Sequence, residues 1–130
     1  FFFFFFKNLI KKKKTENFKF FKKIRWILHG LHIFGKLYLD DGAVRALENH
    51  NSLFSVGIKN VEGNFHALNA VSLIRISDNK EVGRGITNYS SSEVERIRGH
   101  RSSEIEELLG YCDADCVIHR QNISLWGSKE

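Results

Sequence analysis

Cys112, Cys116 and His119 are the residues whose types and spacing come closest to a metal site. Thiolate and imidazole are ligands that Zn²⁺ prefers, but a closed structural zinc site needs four ligands and its cysteines are usually two residues apart. Here three residues lie between the cysteines instead of two, and only three candidate ligands cluster. The spacing therefore predicts incidental thiols and no bound metal.

Three other groupings of reactive residues have a plainer structural explanation. Asp40-Asp41-Gly42 could attract Mg²⁺, but adjacent carboxylates before a helix more often serve as cap and turn residues. Gly83-Arg84-Gly85 lacks the third glycine of a dinucleotide fingerprint. His100 and His119 could complete a hydrolase triad only with a nucleophile elbow, which the sequence lacks. We therefore predict no catalytic, cofactor-binding or metal-binding residues.

The positive charge of the chain is concentrated at its start. The 130 residues carry a formal charge of +5, but residues 1–22 hold seven Lys and one Glu, so the other 108 residues sum to −1. This Phe- and Lys-rich stretch fits either a basic arm for a membrane surface or nucleic acid, or a frameshifted stretch that packs nowhere. We predict the second, with 1–22 as a tail, 23–34 as a linker, 35–126 as one domain and 127–130 as a short end.

Composition also bounds the setting of the protein. The chain lacks methionine, which suggests a fragment, and a chain of this length fits one domain. No apolar run approaches the roughly 18 residues of a membrane span, and no secretory signal is legible. We expect a cytoplasmic protein with no membrane partner.

Alternation and turn residues predict the first half of the domain. We expect a strand at Lys36–Asp40, a short helix from Ala43 to Leu47 capped by Asp40 or Asp41, and a half-buried strand in which Phe54, Val56 and Ile58 face inward. The nearly continuous apolar run Ala70–Ile76 predicts a buried strand. A polar loop at Ser77–Glu81 then leads to a strand at Val82–Asn88.

Two capping patterns predict the helices of the second half. Ser92 and Ser103 are each followed three residues later by Glu, as in a capping box, and the helices should end at Gly99 and Gly110. A last strand is expected at Val117–His119, continued or paired by Ile123–Trp126. The element order β-α-β-β-β-α-α-β predicts a small β-barrel carrying helices, with a core of nine residues: Leu37, Leu39, Val56, Ile58, Val71, Leu73, Ile86, Ile105 and Leu108.

Several phrases, taken in order, resemble one family, the C-terminal PUA domain of bacterial glutamate 5-kinases. They are KIRWILHG (23–30), GKLYLDDGAVRALENHNSLFSVGI (35–58), VEGNF (61–65), GRGITNYSS (83–91), IRGHRSSEIEELLGY (97–111) and VIHRQN (117–122). The resemblance implies a mainly β, α+β fold, a mixed β pseudo-barrel with short helices. It also implies a parent enzyme that phosphorylates the γ-carboxylate of glutamate with MgATP, the first step of proline synthesis.

The resemblance leaves the catalytic machinery outside this chain. In the family the chemistry lies in an N-terminal amino-acid-kinase domain, whose motifs are absent here, so MgATP is implied for the parent alone. The expected partners are that missing domain and further copies of the parent. Ser55 stands where the family usually has proline, which should loosen the turn, and Gln121 stands where aspartate is usual.

Two other hypotheses remain open at this point. PUA domains elsewhere bind structured RNA through the first helix and adjoining strands, which would place Gly42, Ala43, Arg45 and Ala46 nearest the RNA. The basic cluster Arg96, Arg98 and Arg101 would be a second contact. The net charge of −1 outside the tail argues against strong phosphate affinity. The remaining hypothesis is a pseudogene fragment without function.

Overall fold

A computed structural model describes residues 30–126 and places all five strands in one sheet. The elements are, in chain order, β1 (Gly35–Leu39), α1 (Asp41–Glu48), β2 (Ile58–Gly63), β3 (Ala70–Arg75), β4 (Lys80–Ile86), α2 (Ser91–Ile97), α3 (Ile105–Leu109) and β5 (Ile123–Leu125). Short 3₁₀ turns lie at Ser55–Gly57, Ser102–Glu104 and Arg120–Asn122. The predicted order of strands and helices is confirmed, and the fold is α+β and mainly β.

The sheet is mixed and has the order β2-β1-β3-β4-β5. β1 runs antiparallel to β2 and parallel to β3, while the β3–β4 and β4–β5 pairs are antiparallel. Within the described residues, the strand pairings do not join β2 to β5, which fits a pseudo-barrel rather than a closed barrel. One isolated bridge, between Leu53 and Ile118, links the loops on that side.

Burial explains why the central strands form where they do. Leu37 and Leu39 alternate with partly or fully exposed neighbours in β1, so one face of this strand packs on the core. The residues of β3 are buried from Ala70 to Ile74, because this strand has a neighbour on each side and cover on both faces. The predicted buried strand is confirmed, although it ends at Arg75 and leaves Ile76 exposed.

The structure corrects the strand predicted through Phe54, Val56 and Ile58. Only Ile58 belongs to a strand, because Ser55–Gly57 forms a 3₁₀ turn. Ser55 is fully buried, whereas Phe54 and Val56 keep 40% and 50% of their surface exposed. Val56 is therefore wrongly placed in the predicted core. The hydrogen bonds made by Ser55 and Gly57 favour the turn over the strand that the alternation of apolar and small residues predicts.

The caps of the two later helices also differ from the predictions. The capping box of α2 is formed by Ser90 and Glu93, two residues earlier than the predicted box at Ser92. Glu93 serves as the distal partner because its carboxylate accepts the Ser90 N–H at 2.8 Å. At the second site the chain forms a 3₁₀ turn before α3, and Ser103 does not cap the helix. The predicted stop at Gly110 is confirmed by its left-handed φ of 86°.

The end of the domain contains less strand than predicted. Val117–His119 is irregular apart from the Leu53–Ile118 bridge, and only Ile123–Leu125 forms a strand. β4 begins and ends two residues earlier than predicted, at Lys80 and Ile86.

The core lies between the sheet and the helices. Seven of the nine predicted core residues are buried, while Leu108 is half-buried against the core and Val56 is exposed. The largest side chains in the core were not predicted to be there; they are Tyr89 and Phe65.

Some predictions fall outside the described residues. The prediction that residues 1–22 make few contacts with the domain is one of them, and the domain boundaries stay predictions. Among the helices of residues 30–126, none combines the length and the apolar character needed to cross a bilayer.

Candidate binding surface

The turn at Ser55–Gly57 contacts two segments that are far apart in the sequence, the start of α1 and the residues after α2. A Cβ atom on Gly57 would lie 2.6 Å from the Cβ of Ala43, so the turn packs directly on α1. On its other side, the Ser55 hydroxyl donates to the carbonyl of His100 at 2.7 Å, and the Gly99 N–H donates to the Ser55 carbonyl at 2.8 Å. The start of α1 and the segment after α2 thus both contact the same turn.

Backbone bonds hold the turn rigidly. The Asp40 N–H donates to the Gly57 carbonyl at 3.2 Å, and the Gly57 N–H donates to the Phe54 carbonyl at 3.1 Å. The buried hydroxyl of Ser55 adds a bond that proline could not make, while the expectation that Ser55 loosens the turn stays a prediction. The exposed side chains of Phe54 and Val56 are therefore presented from a fixed backbone.

The basic residues beside the turn are paired within the domain. Lys59 Nζ lies 3.7 Å from a carboxylate oxygen of Asp40. Arg98 Nε lies 3.0 Å from Glu95, and Arg98 Nη1 donates to the carbonyl of Lys59 at 2.7 Å. His100 Nδ1 lies 2.8 Å from Glu104. We name this region the turn surface, formed by Ala43, Phe54, Val56, Lys59, Arg98 and His100.

The structure brings together only some of the predicted RNA-contacting residues. Ala43 and Arg98 both lie at the turn surface. Gly42 is exposed at the start of α1, and Ala46 is half-buried one turn further along it. Arg45 instead lines a separate groove.

The predicted basic cluster of Arg96, Arg98 and Arg101 is divided. Arg96 approaches Tyr111: the hydrogen bond to Glu93 raises the pKa of the Tyr111 phenol, and the Arg96 charge partly offsets this. Arg98 instead reaches β2. Arg101 is exposed just before the Ser102–Glu104 turn. Arg96 and Arg98 thus contact different groups of the domain, and the role of the three residues in binding RNA stays a prediction.

The groove beside Arg45 lies between α1 and the β3–β4 turn and has a volume of about 300 Å³. Its ionic groups bond mainly to one another: Arg75 pairs with Asp78 at 2.8 Å, and the Ser77 hydroxyl donates to Asp41 at 2.8 Å. The hydrogen bond from Arg75 holds the pKa of the Asp78 carboxyl below its usual value. The remaining lining residues are Val44, Arg45 and Glu48.

The sulfur atoms of the candidate metal ligands have separate surroundings. Cys112 is exposed and its Sγ lies 3.5 Å from the Ala114 carbonyl, whereas Cys116 is buried beside the Asn88 amide. Burial and the charge of Asp115 raise the pKa of the Cys116 thiol, and burial and the charge of Arg120 lower the pKa of His119. Across residues 30–126, no three His, Cys, Asp or Glu side chains are grouped so that they could hold a metal ion.

The other two motifs have structural roles. Asp40 caps α1, because its carboxylate accepts the Ala43 N–H at 2.7 Å. Gly83 lies in β4 where a Cβ atom would be 2.4 Å from the Ser124 carbonyl oxygen, so the close approach of β5 requires glycine.

Sequence reasoning missed Phe54 and Val56 as surface residues. The alternation of apolar and small residues matched a strand, but the family's proline at the position of Ser55 was a signal for a turn. A turn that exposes two apolar side chains, with its charges internally paired, can bind another surface.

Comparison with known proteins gives a consistent result. Residues 35–109 match the family model of the PUA domain. The chain is 49% identical over 104 residues to the glutamate 5-kinase of Rippkaea orientalis, covering 79% of this chain and 28% of that one. It is 48% identical over 102 residues to the glutamate 5-kinase of Nostoc punctiforme, covering 78% and 28%. The matched region is the C-terminal PUA region of these proteins, and this chain spans less than a third of their length.

A solved structure is similar in fold. A PUA domain from Aeropyrum pernix aligns with a TM-score of 0.50 and 24% identity over 65% of this chain and 41% of that one. At this identity the likeness supports the fold alone.

Proposed function

This chain belongs to the PUA domain family, and we propose that it serves as the accessory domain of a glutamate 5-kinase. The observation that carries the proposal is the 49% identity to a glutamate 5-kinase over 104 residues. In this role the domain supports an enzyme that transfers the γ-phosphate of MgATP to the γ-carboxylate of glutamate, the first step of proline biosynthesis.

The surface chemistry of the domain supports a binding role rather than a catalytic one. Phosphoryl transfer needs Mg²⁺ and cationic groups arranged around the transferred phosphate. At the turn surface, by contrast, Lys59 and Arg98 are engaged with Asp40 and Glu95. MgATP and glutamate would therefore bind to the rest of the kinase. That remaining part of the kinase is the proposed partner of this domain. The parent enzyme is proposed to be a homo-oligomer. We propose a cytoplasmic location, where Cys112 and Cys116 would stay reduced.

An exchange of domains tests the proposal. In the glutamate 5-kinase of Rippkaea orientalis, the 104 matched residues are replaced by those of this chain, giving the exchanged enzyme. Trapping of glutamyl phosphate should show kcat and KM for glutamate within about threefold of the parent, because the fold and nearly half of the residues are shared. The 130-residue chain alone should give no product above a blank. A folded exchanged enzyme without activity, or turnover by the chain alone, would contradict the proposal.

RNA binding by a free-standing module is the weaker candidate. Residues 30–126 hold ten Lys and Arg against thirteen Asp and Glu, a net charge of −3, which repels phosphates. The observation in its favour is the exposed Phe54 ring, on which a base could stack.

A further inference from the structure

The turn surface combines three properties that together indicate a protein contact. The first property is a reversal of the usual burial pattern, since the polar serine is buried while the apolar phenylalanine and valine are exposed. Ser55 is 0% exposed, while Phe54 and Val56 are 40% and 50% exposed. Single exposed apolar residues are common on protein surfaces, but here two project from a turn bonded on both sides. The residues are thus presented in a preorganised conformation, which lowers the entropic cost of binding.

The charges around these residues argue against a polyanion as the occupant. Lys59, Arg98 and His100 each lie within 4 Å of a carboxylate, so binding a phosphate chain would have to compete with existing ion pairs. An uncharged, apolar protein surface would leave these pairs intact. The partner whose charge best matches the turn surface therefore presents an uncharged surface to it.

The size of the apolar area indicates a tethered partner. A fully buried aromatic side chain covers about 150–250 Å², so the 40% of Phe54 and the 50% of Val56 that are exposed together offer roughly 150 Å². Stable complexes between separate proteins bury about 1,200–2,000 Å². A domain in the same polypeptide needs less area, because a linker gives an effective concentration in the millimolar range. A second free copy of the chain would have no such help.

We propose that the turn surface docks on the remaining part of the glutamate 5-kinase chain, with Phe54 and Val56 as its apolar anchors. The proposal rests on the proposed function, because that role supplies the tethered partner. The chain matches only 28% of its relative, so the larger part of the relative is available to cover these residues.

Cysteine labelling measures the proposed burial directly. The Val56→Cys variant is prepared in the full 130-residue chain and in the exchanged enzyme, and a maleimide is added to each. The native Cys112 is exposed and serves as an internal reference in both samples. Position 56 should label at least about tenfold more slowly in the exchanged enzyme than in the chain, with the Cys112 rate changed much less.

The outcomes separate this proposal from the proposed function. If the exchanged enzyme is active but position 56 labels as fast as in the chain, the docking proposal is overturned while the function stands. An inactive but folded exchanged enzyme contradicts the proposed function itself. If a structured transfer RNA protects position 56 in the chain and the kinase does not, the surface binds RNA and the docking proposal is wrong.

Discussion

At the scale of single residues, Ile58 and Val56 show how sharply the environment changes at the start of β2. Ile58 is 0% exposed and packs in the core, where it is paired with Leu39 of the neighbouring strand β1. Val56, two positions earlier, is 50% exposed on the turn. The two residues are similar in chemistry, so they make a matched pair for a stability test.

The Ile58→Ala variant should lose about 2–5 kcal/mol of unfolding free energy, because it removes buried methyl groups and leaves a cavity. The Val56→Ala variant of the isolated chain should change stability by less than about 0.5 kcal/mol. Urea unfolding of both variants measures the difference. Similar losses in the two variants would mean that the strand and turn are wrongly assigned.

Periodicity could identify Ile58 as buried, but it could not distinguish Val56 from it. The burial of Ser55 depends on bonds to Gly99 and His100, more than forty residues later in the chain. Contacts between residues so far apart cannot be predicted from a short stretch of sequence. The turn surface was therefore beyond local sequence reasoning, whereas most of the core residues were not.

Tyr89 is the largest fully buried side chain among residues 30–126, and its hydroxyl fixes the loop after α3. This hydroxyl donates to the carbonyl of Ala114 and accepts the Ala114 N–H at 2.9 Å. Burial, together with the nearby Cys112 and Asp113, raises the pKa of the Tyr89 phenol from 10.0 to about 12. The folded state thus favours the neutral phenol.

Replacing Tyr89 by Phe should cost about 1–3 kcal/mol at pH 8, because both polar groups of Ala114 lose their partner. The raised folded-state pKa means that the contribution is complete below pH 10 and declines as the pH rises through about 12. Unfolding free energies should therefore differ less between wild type and Tyr89→Phe at pH 11 than at pH 8. A Ser92→Ala variant, altered at an exposed position that carries no ionisable group, controls for general effects of alkali. A gap that stays constant with pH would refute the assignment.

At the scale of elements, α2 is the piece that connects the sheet to the turn surface. Its capping box begins at Ser90, and its buried face carries Val94 and Ile97. Arg98, directly after the helix, donates to the carbonyl of Lys59 in the edge strand β2. This contact satisfies an outward-facing group of β2, which makes pairing of this edge with another strand less favourable.

The position of the cap can be tested with two neighbouring serines. Ser90→Ala should destabilise the domain by about 1 kcal/mol, because the Glu93 N–H loses its acceptor. Ser92→Ala should have an effect below about 0.5 kcal/mol, since Ser92 is exposed on the first turn of the helix. Thermal or urea unfolding distinguishes the two. A larger loss for Ser92→Ala would restore the predicted box at Ser92.

The sequence could place the helix but not its first residue. Ser90, Ser91 and Ser92 are identical in type, and Glu93 and Glu95 both offer a carboxylate three residues after a serine. The choice between the two registers is made by burial of Val94 and Ile97 and by the hydrogen bond between Glu93 and Tyr111. Both are tertiary contacts.

At the scale of the whole molecule, the sign of the charge differs between the start of the chain and the folded domain. Residues 1–22 carry +6, whereas residues 30–126 carry −3. The order of elements was predictable because each strand and helix has its own periodicity. The function of the assembled surface was not, because basic residues that are close together in sequence, such as Arg96 and Arg98, contact different parts of the fold.

RNA binding by the full chain should be weak and steeply dependent on salt, because the seven lysines of residues 1–22 supply the excess charge. Contact with Z single-strand phosphates gives a log–log salt slope of about −0.7Z. A variant lacking residues 1–22 should lose most of both the affinity and the slope. Titration of both proteins with structured and unstructured RNA at two salt concentrations measures this. Tight binding of one structured RNA by the shortened variant would favour the RNA-binding module.

The central claim is that this sequence, when folded, supports a glutamate 5-kinase, and a conditional unfolding experiment tests it most directly. The exchanged enzyme is prepared with the intact domain, with Ile58→Ala and with the Ser92→Ala control. Glutamyl-phosphate formation is then measured at a temperature where the Ile58→Ala chain is unfolded and the wild-type chain is folded. The Ile58→Ala enzyme should lose at least about tenfold in activity while the other two stay alike. Equal activity in all three would contradict it, because the kinase would then not depend on the folded domain.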